Sequence, residues 1–404
     1  MQFLRLRHLS RKIYSAIKDY EYKRNLSRSI FIEAPISPLS EIGEKVYVFK
    51  ERTVEHFDFI KTYGFLEGGG YDVDYPEIDV WKINNAMVFH NSDFVVADNG
   101  KCAWPKYYYY NYAKNITTDS FFVREKKGIL TYRKPRRIIE VQTAFSLIGV
   151  CAHIWAHAIV EYFPKLCTLE RVIECCPSRI TVLIPEYTDA QLRQVMFDQI
   201  NKYDVDIRVV HKEEAIKVHS LYYMQRPTIF TDHEINVAPG DQVIPKAVID
   251  VVKKNLVNLY IENVKTDPKY KKIFLSRRGG IGKSIINQEE IEKIFYDRGF
   301  CFIQPHVVSL EEKVRIFQSA EVIVGPAGSA FTNLIFCKPG TKALLFSNFE
   351  RIFDYYVGAG QQYFGVEMMI VNGLDDKTAS NMSHCSYYLP PDRVLSASMK
   401  MGII

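Results

Sequence analysis

Apolar runs long enough to cross a bilayer are missing from this chain, and so is a signal-peptide hydrophobic core near its start. Both absences lead us to expect a protein without a membrane-spanning segment, working in the cytoplasm. The eight cysteines are scattered; they include the adjacent pair Cys175-Cys176 but no CxxC and no metal-ligand spacing. That usage fits reduced thiols better than a disulfide framework. Low-complexity tracts are lacking too. A net positive charge is missing outside the first thirty residues. Residues 1–30 hold eight Lys/Arg against Asp19 and Glu21, a net of +6 out of the total of +5, so the remainder is near −1. A body of that charge is not a basic nucleic-acid binder, and attraction to acidic surfaces is confined to the N-terminus.

What is present is an ordinary globular composition, 47% apolar and 25% charged over 404 residues, enough for two domains and a sizeable core. Residues 1–30 can form a helix with Leu6, Leu9, Ile13, Ile17 and Tyr20 on one face and Arg5, Arg11, Lys12 and Lys18 over much of the rest. Such a helix either lies on an anionic membrane surface or packs, solvated, on its own domain. Residues 45–141 read as β structure, with runs at Val46–Phe49, Ala86–Phe89 and Phe94–Ala97, the last ended by the turn Asp98-Asn99-Gly100. Tyr107–Tyr110 beside Trp104 can stack on sugar rings, although aromatic stretches more commonly serve packing.

From about Thr143 helices and strands alternate. A helix at 154–169, strand 181–184, helix 189–202, strand 207–210 and further strand text at 218–224 are followed by a loop at 227–240 and a long helix at 245–264. After Thr266-Asp267-Pro268, which reads as a linker, a second alternation runs through strand 273–275, helix 288–298, strand 301–303, helix 310–319, strand 322–324, helix 330–337 and strand 343–346. The expectation is an α/β protein with two Rossmann-like lobes. The basic helix would span 1–30. A first domain at 31–265 would be β-rich over 45–141 and Rossmann-like over 142–265, and a second would span 266–404. Open α/β sheets bind ligands at the carboxyl ends of their strands.

The second alternation contains the stretch around which the chain is organised, VIVGPAGSAFTNLIFCKPGT at 322–341. A β-branched strand breaks at Gly325-Pro326, and a helix opens after Gly328-Ser329. Unpaired N–H groups at the helix start and the small side chains of Ala327, Gly328, Ser329 and Ala330 make a seat for a phosphate, or else serve close packing alone.

Three further groups carry chemistry. His157 and Glu161 stand four apart on one helical face, with His153 a turn earlier. Imidazole exchanges protons near neutral pH, and a carboxylate can orient it. The spacing also allows metal ligation or plain buried polarity, but HExxH is absent. Arg277 and Arg278 close a strand and can clamp a diphosphate. The same loop, Arg278-Gly-Gly-Ile-Gly-Lys283-Ser284, approaches the phosphate loop of ATPases. Arg277 stands where its first Gly belongs, and the next strand ends Gln304-Pro305, with no carboxylate for Mg²⁺. A nucleotide-binding module using Lys283 is therefore the rival reading. Asp72-Val-Asp74 and Asp204-Val-Asp206 match a two-residue metal pattern of sugar transferases that chance produces readily, and we discount both.

Together these segments resemble the DUF563 family, glycosyltransferase family 61. Its motif H-W-x-x-E-x-x-P-R-L is similar to His157-Ala-Ile-Val-Glu161-Tyr-Phe-Pro164-Lys165-Leu166, with Ala158 for Trp and Lys165 for Arg. Its I-S-R-R and N-E-x-E resemble Leu275–Arg278 and Asn287–Glu290. Its E-Q-V and VGPxGAxLTNLxF-xxPGT resemble Glu312-Lys313-Val314 and Val324–Thr341, with Ala327 where many members carry His.

The resemblance spans about 140–350. It implies a two-lobed GT-B fold and an inverting transfer of sugar from a nucleotide sugar, taken to be a UDP-sugar, to a saccharide or lipid-linked saccharide. No metal is needed in such enzymes, because helix N-termini and basic side chains neutralise the leaving diphosphate. Carried over residue by residue, it places Arg277, Arg278, Gly325, Pro326, Gly328, Ser329, Thr332 and Asn333 at the donor, Glu312 at its ribose, and His157 or Glu161 as the base. Members with such an N-terminal arm resemble bacterial capsule, lipopolysaccharide or exopolysaccharide enzymes at the inner face of the plasma membrane. A non-catalytic relative is a third reading, which Ala158 and Ala327 keep open.

Overall fold

In a computed structural model the chain is described over residues 30–64, 68–103, 121–230, 242–276, 285–348, 359–375 and 386–404. The basic helix, the tyrosine run and the Arg277–Ser284 loop lie outside the described residues. The architecture is mixed α/β, built on two large sheets.

The first sheet has eight strands. Along it lie Asp206–Val210, Thr181–Pro185, Arg137–Ser146, Glu214–Met224, Ile78–Phe89, Val95–Val96 and Cys102–Ala103, and Glu44–Lys50 also pairs with Ile78–Phe89. The four strands from the 137–224 region run parallel, and Ile78–Phe89 joins them antiparallel to Glu214–Met224. The β-rich stretch and the first βα alternation thus share one sheet. The change of pattern near residue 141 is internal to the strand Arg137–Ser146: its first half is largely open to solvent and its second, from Thr143, is buried.

The second sheet is wholly parallel, in the order Cys301–Ile303, Lys272–Leu275, Val322–Pro326, Lys342–Ser347, Glu367–Asn372 and Lys61–Thr62. Its last strand comes from the early part of the chain, and the Tyr63 N–H donates to the Ile370 carbonyl at 2.8 Å. Gly325 has to be glycine because a Cβ there would lie 2.7 Å from the Leu275 carbonyl oxygen of the neighbouring strand. One apolar core runs from Phe145, Val182 and Tyr222 on the first sheet, through Val248 and Phe331, to Ile273 and Ile323 on the second. Among the described residues no helix is long and apolar enough to cross a membrane.

Helix ends follow their capping chemistry. Asp189 accepts from the Leu192 N–H at 2.9 Å to start Ala190–Ile200, and Ser309 accepts from the Glu312 N–H at 3.2 Å to start Leu310–Ser319. The sequence alone calls for simple α-helices at three places where the backbone differs, one of them a π segment over Lys253–Val257 inside the helix expected at 245–264. The segment Trp155–Leu166 contains a π turn over Ala158–Tyr162. Pro164 has no N–H to offer Val160, and its ring presses on that carbonyl, so widening the preceding turn relieves the clash. The segment Ser329–Phe336 is a 3₁₀ helix rather than an α-helix. There the Asn333 side-chain amide donates to the Ala330 carbonyl at 2.9 Å, a local bond that competes with the α-helical ladder.

Candidate functional site

Parallel strands Arg137–Ser146 and Glu214–Met224 are neighbours, and the chain leaving each of them brings one side of the site. After Ser146 it runs through Gly149 into the helix that carries His157. After Met224 it reaches Arg226. The third contribution is Asp93, from the turn between Ile78–Phe89 and Val95–Val96.

These residues form one buried chain of charge. His157 Nδ1 lies 2.7 Å from Glu161 Oε1, and Glu161 has no exposed surface. Because an ionised carboxylate only accepts, the imidazole places its proton on Nδ1 and its lone pair on Nε2. Arg226 Nη1 donates to Glu161 Oε2 at 2.7 Å. The same guanidinium turns its other edge to Asp93, Nε donating to Oδ1 at 3.0 Å and Nη2 to Oδ2. Asp93 Oδ1 also accepts from the Tyr162 hydroxyl at 3.2 Å and the Val150 N–H at 3.3 Å. Burial alone would lower the Arg226 pKa, but Asp93 and Glu161 outweigh it and hold the guanidinium well above its usual range. Burial lowers Lys165 to about 8, and its ammonium sits 5.0 Å over the Tyr162 ring and 5.8 Å over that of Tyr223. Gly149 admits the packing: a Cβ there would fall 2.2 Å from the Tyr162 hydroxyl and 2.4 Å from Asp93 Oδ1.

The helix bearing His157 packs against the 3₁₀ helix Ser329–Phe336, so the imidazole's element adjoins the glycine turn. On its other flank Lys313 lies 3.5 Å over the Trp155 ring. Lys313 is 2% exposed, and desolvation lowers it to about 7. Gly325 and Pro326 close the buried strand of the second sheet, and Gly328 and Ser329 are half-buried beyond it. The Ala327 N–H is taken by the Phe346 carbonyl at 2.8 Å. The first bond of the 3₁₀ helix runs from the Phe331 N–H to the Gly328 carbonyl, which leaves the N–H groups of Ser329 and Ala330 without intrahelical acceptors. Thr332 and Asn333 follow, fully buried, and Thr332 Oγ1 and Asn333 Oδ1 have no hydrogen-bond partner among the described residues.

The structure therefore brings His157, Glu161 and the turn residues to adjoining elements. Arg277, Arg278 and the rival Lys283 lie outside the described residues. Glu312 is engaged elsewhere, accepting from the Tyr270 hydroxyl and, at 2.7 Å, from Arg315 Nη1. His153 is exposed. The DxD carboxylates sit in surface ion pairs, Asp72 with His56, Asp74 with Arg52, and both Asp204 and Asp206 with Arg179. Among the described residues no group of three or more His, Cys, Asp or Glu is arranged to hold a metal ion. Sequence reasoning missed Asp93 and Arg226. Arg226 had one usable sign, a basic residue just past a strand's carboxyl end; Asp93 reads only as a turn residue.

The family model described as Glycosyltransferase 61 matches residues 155–344, a little under half of the chain, and over that stretch the chain is similar to this family. The family implies a glycosyltransferase, which takes a sugar donor and an acceptor. The match includes His157, Glu161, Arg226 and the turn at 325–333 and leaves out Asp93. No curated protein matches the chain.

Proposed function

We propose that this protein is an inverting glycosyltransferase of the two-lobed GT-B type, using a nucleotide sugar and a saccharide acceptor. The observation that supports this best is the packing of the His157 helix on the Ser329–Phe336 segment. In this reading it puts the proposed base near N–H groups that can receive an anion.

In the proposed reaction His157 Nε2 removes the proton of an acceptor hydroxyl while Glu161 steadies the imidazolium through Nδ1. The hydroxyl oxygen bonds to the anomeric carbon from the face opposite the donor's diphosphate. The carbon–oxygen bond to the diphosphate breaks, and its electron pair leaves with the nucleotide, which inverts the centre. The leaving charge is met by the Ser329 and Ala330 N–H groups, by the Thr332 hydroxyl, and by Arg277 and Arg278, while the Asn333 amide holds the turn through the Ala330 carbonyl. Glu312, committed to Tyr270 and Arg315, has no part in this account. A UDP-sugar donor, no metal requirement, and service to a surface polysaccharide at the inner membrane face, reached through residues 1–30, complete the proposal.

The test is His157→Ala against the unaltered protein, with the donor first identified by thermal shift across UDP-, GDP- and CMP-sugars. Turnover is expected to fall by about 10²–10⁴-fold with donor affinity retained. Unchanged turnover removes His157 as the base.

A further inference from the structure

The proposed base is one end of a chain of charge that continues well past Glu161. Arg226 bridges the two buried carboxylates, Glu161 at 2.7 Å and Asp93 at 3.0 Å. Its guanidinium is 4% exposed and the Asp93 carboxylate 2%. A structural ion pair needs no third member, and burying three charged groups is expensive unless each is answered. Here the third member's other oxygen is the acceptor for His157. Whatever charge Arg226 and Asp93 carry is therefore felt at the imidazole through the Glu161 carboxylate, in surroundings that screen it weakly.

We infer that Asp93 and Arg226 are positioning residues that set, by opposite electrostatic effects, the pH at which the His157–Glu161 pair takes up its proton. The inference rests on the role proposed for His157, but its physical content holds whether or not sugar is transferred. Arg226 opposes protonation of the pair by placing a positive charge against Glu161. Asp93 offsets part of that charge from the far side of the guanidinium. Removing Arg226 therefore moves proton uptake to higher pH, and removing the Asp93 charge moves it to lower pH.

Among the described residues, further titratable groups lie around this cluster. Burial pushes Tyr162 and Tyr223 up and raises Cys151 to about 12, so all three stay neutral across the measured range. Lys165 titrates near 8 and lies in the same cluster, so Lys165→Met is measured beside the others to separate its share. His153, one turn away, is followed through its own signal.

The experiment is ¹⁵N-histidine NMR of the full chain between pH 5 and 9, with the His157 ring assigned by its loss in His157→Gln. In Arg226→Met the His157 midpoint should move upward by about one pH unit, and in Asp93→Asn downward by a smaller amount. Arg226→Lys, which keeps the charge, should restore the original midpoint. The ring should show the Nδ1–H tautomer in the unaltered protein. Midpoints that stay put in folded Asp93→Asn, or that move in the same direction in both variants, overturn the inference. If Arg226→Met does not fold, Asp93→Asn decides alone, since it keeps the side chain's size. Unchanged turnover in His157→Ala removes the imidazole as the base without touching this result.

Discussion

At the scale of single residues, the site depends on close approach as much as on charge. Gly149 lies against Tyr162 and Asp93 with no room for a methyl group. Gly149→Ala should lower stability by about 1–3 kcal/mol, read from urea unfolding, and reduce turnover by displacing the relay. A variant of unchanged stability and turnover would mean that the loop gives way freely. Glu161→Gln should cut turnover with less effect on donor binding, because the amide cannot answer an imidazolium while Arg226 stays buried beside it. At this scale His157 and Glu161 were legible, since an i, i+4 pair on one helical face is local information. Asp93 and Arg226 were not. They lie 133 residues apart, and only the pairing of Glu214–Met224 with its neighbouring strands gathers them.

At the scale of elements, the parallel strands and most helices were legible from apolar periodicity and caps, as Ser309 before Leu310–Ser319 illustrates. The π turn over Ala158–Tyr162 and the 3₁₀ helix were not, because both arise from competition for backbone carbonyls, by Pro164 in one case and Asn333 in the other. The 3₁₀ helix supports a prediction. Thr332 Oγ1 is buried without a hydrogen-bond partner among the described residues, so Thr332→Val should leave the melting temperature of the free protein equal or higher. The same variant should give a smaller thermal shift with nucleotide sugar. An undiminished shift would remove Thr332 from the donor site.

Lys313 belongs to this scale too, since it joins Leu310–Ser319 to Trp155. Desolvation lowers its folded pKa to about 7, below the ordinary lysine value of 10.5, so between those pH values the unfolded chain binds more protons and stability rises with pH. Lys165 adds a like rise from about 8. Lys313→Met should be more resistant to urea at pH 7 and gain less between pH 7 and 9. A gain equal to that of the unaltered protein would contradict the burial of a lysine titrating there.

At the scale of the whole molecule, the sequence supports an α/β organisation with a parallel second sheet, and both are present. It did not reveal that Lys61–Thr62 would join that sheet, nor that the β-rich stretch would share a sheet with the first βα alternation. Two-residue and cross-sheet pairings have no local pattern to read. The resulting continuity of core explains how an element after the first sheet comes to lie on the turn after Val322–Pro326.

The most direct measurement of the central claim is a crystal structure with the nucleoside diphosphate that gives the largest thermal shift. The account predicts its terminal phosphate on the N–H groups of Ser329 and Ala330, with the His157 ring facing the space where the sugar would stand. A nucleotide bound elsewhere, or a phosphate on that turn with His157 facing away from it, would contradict the account.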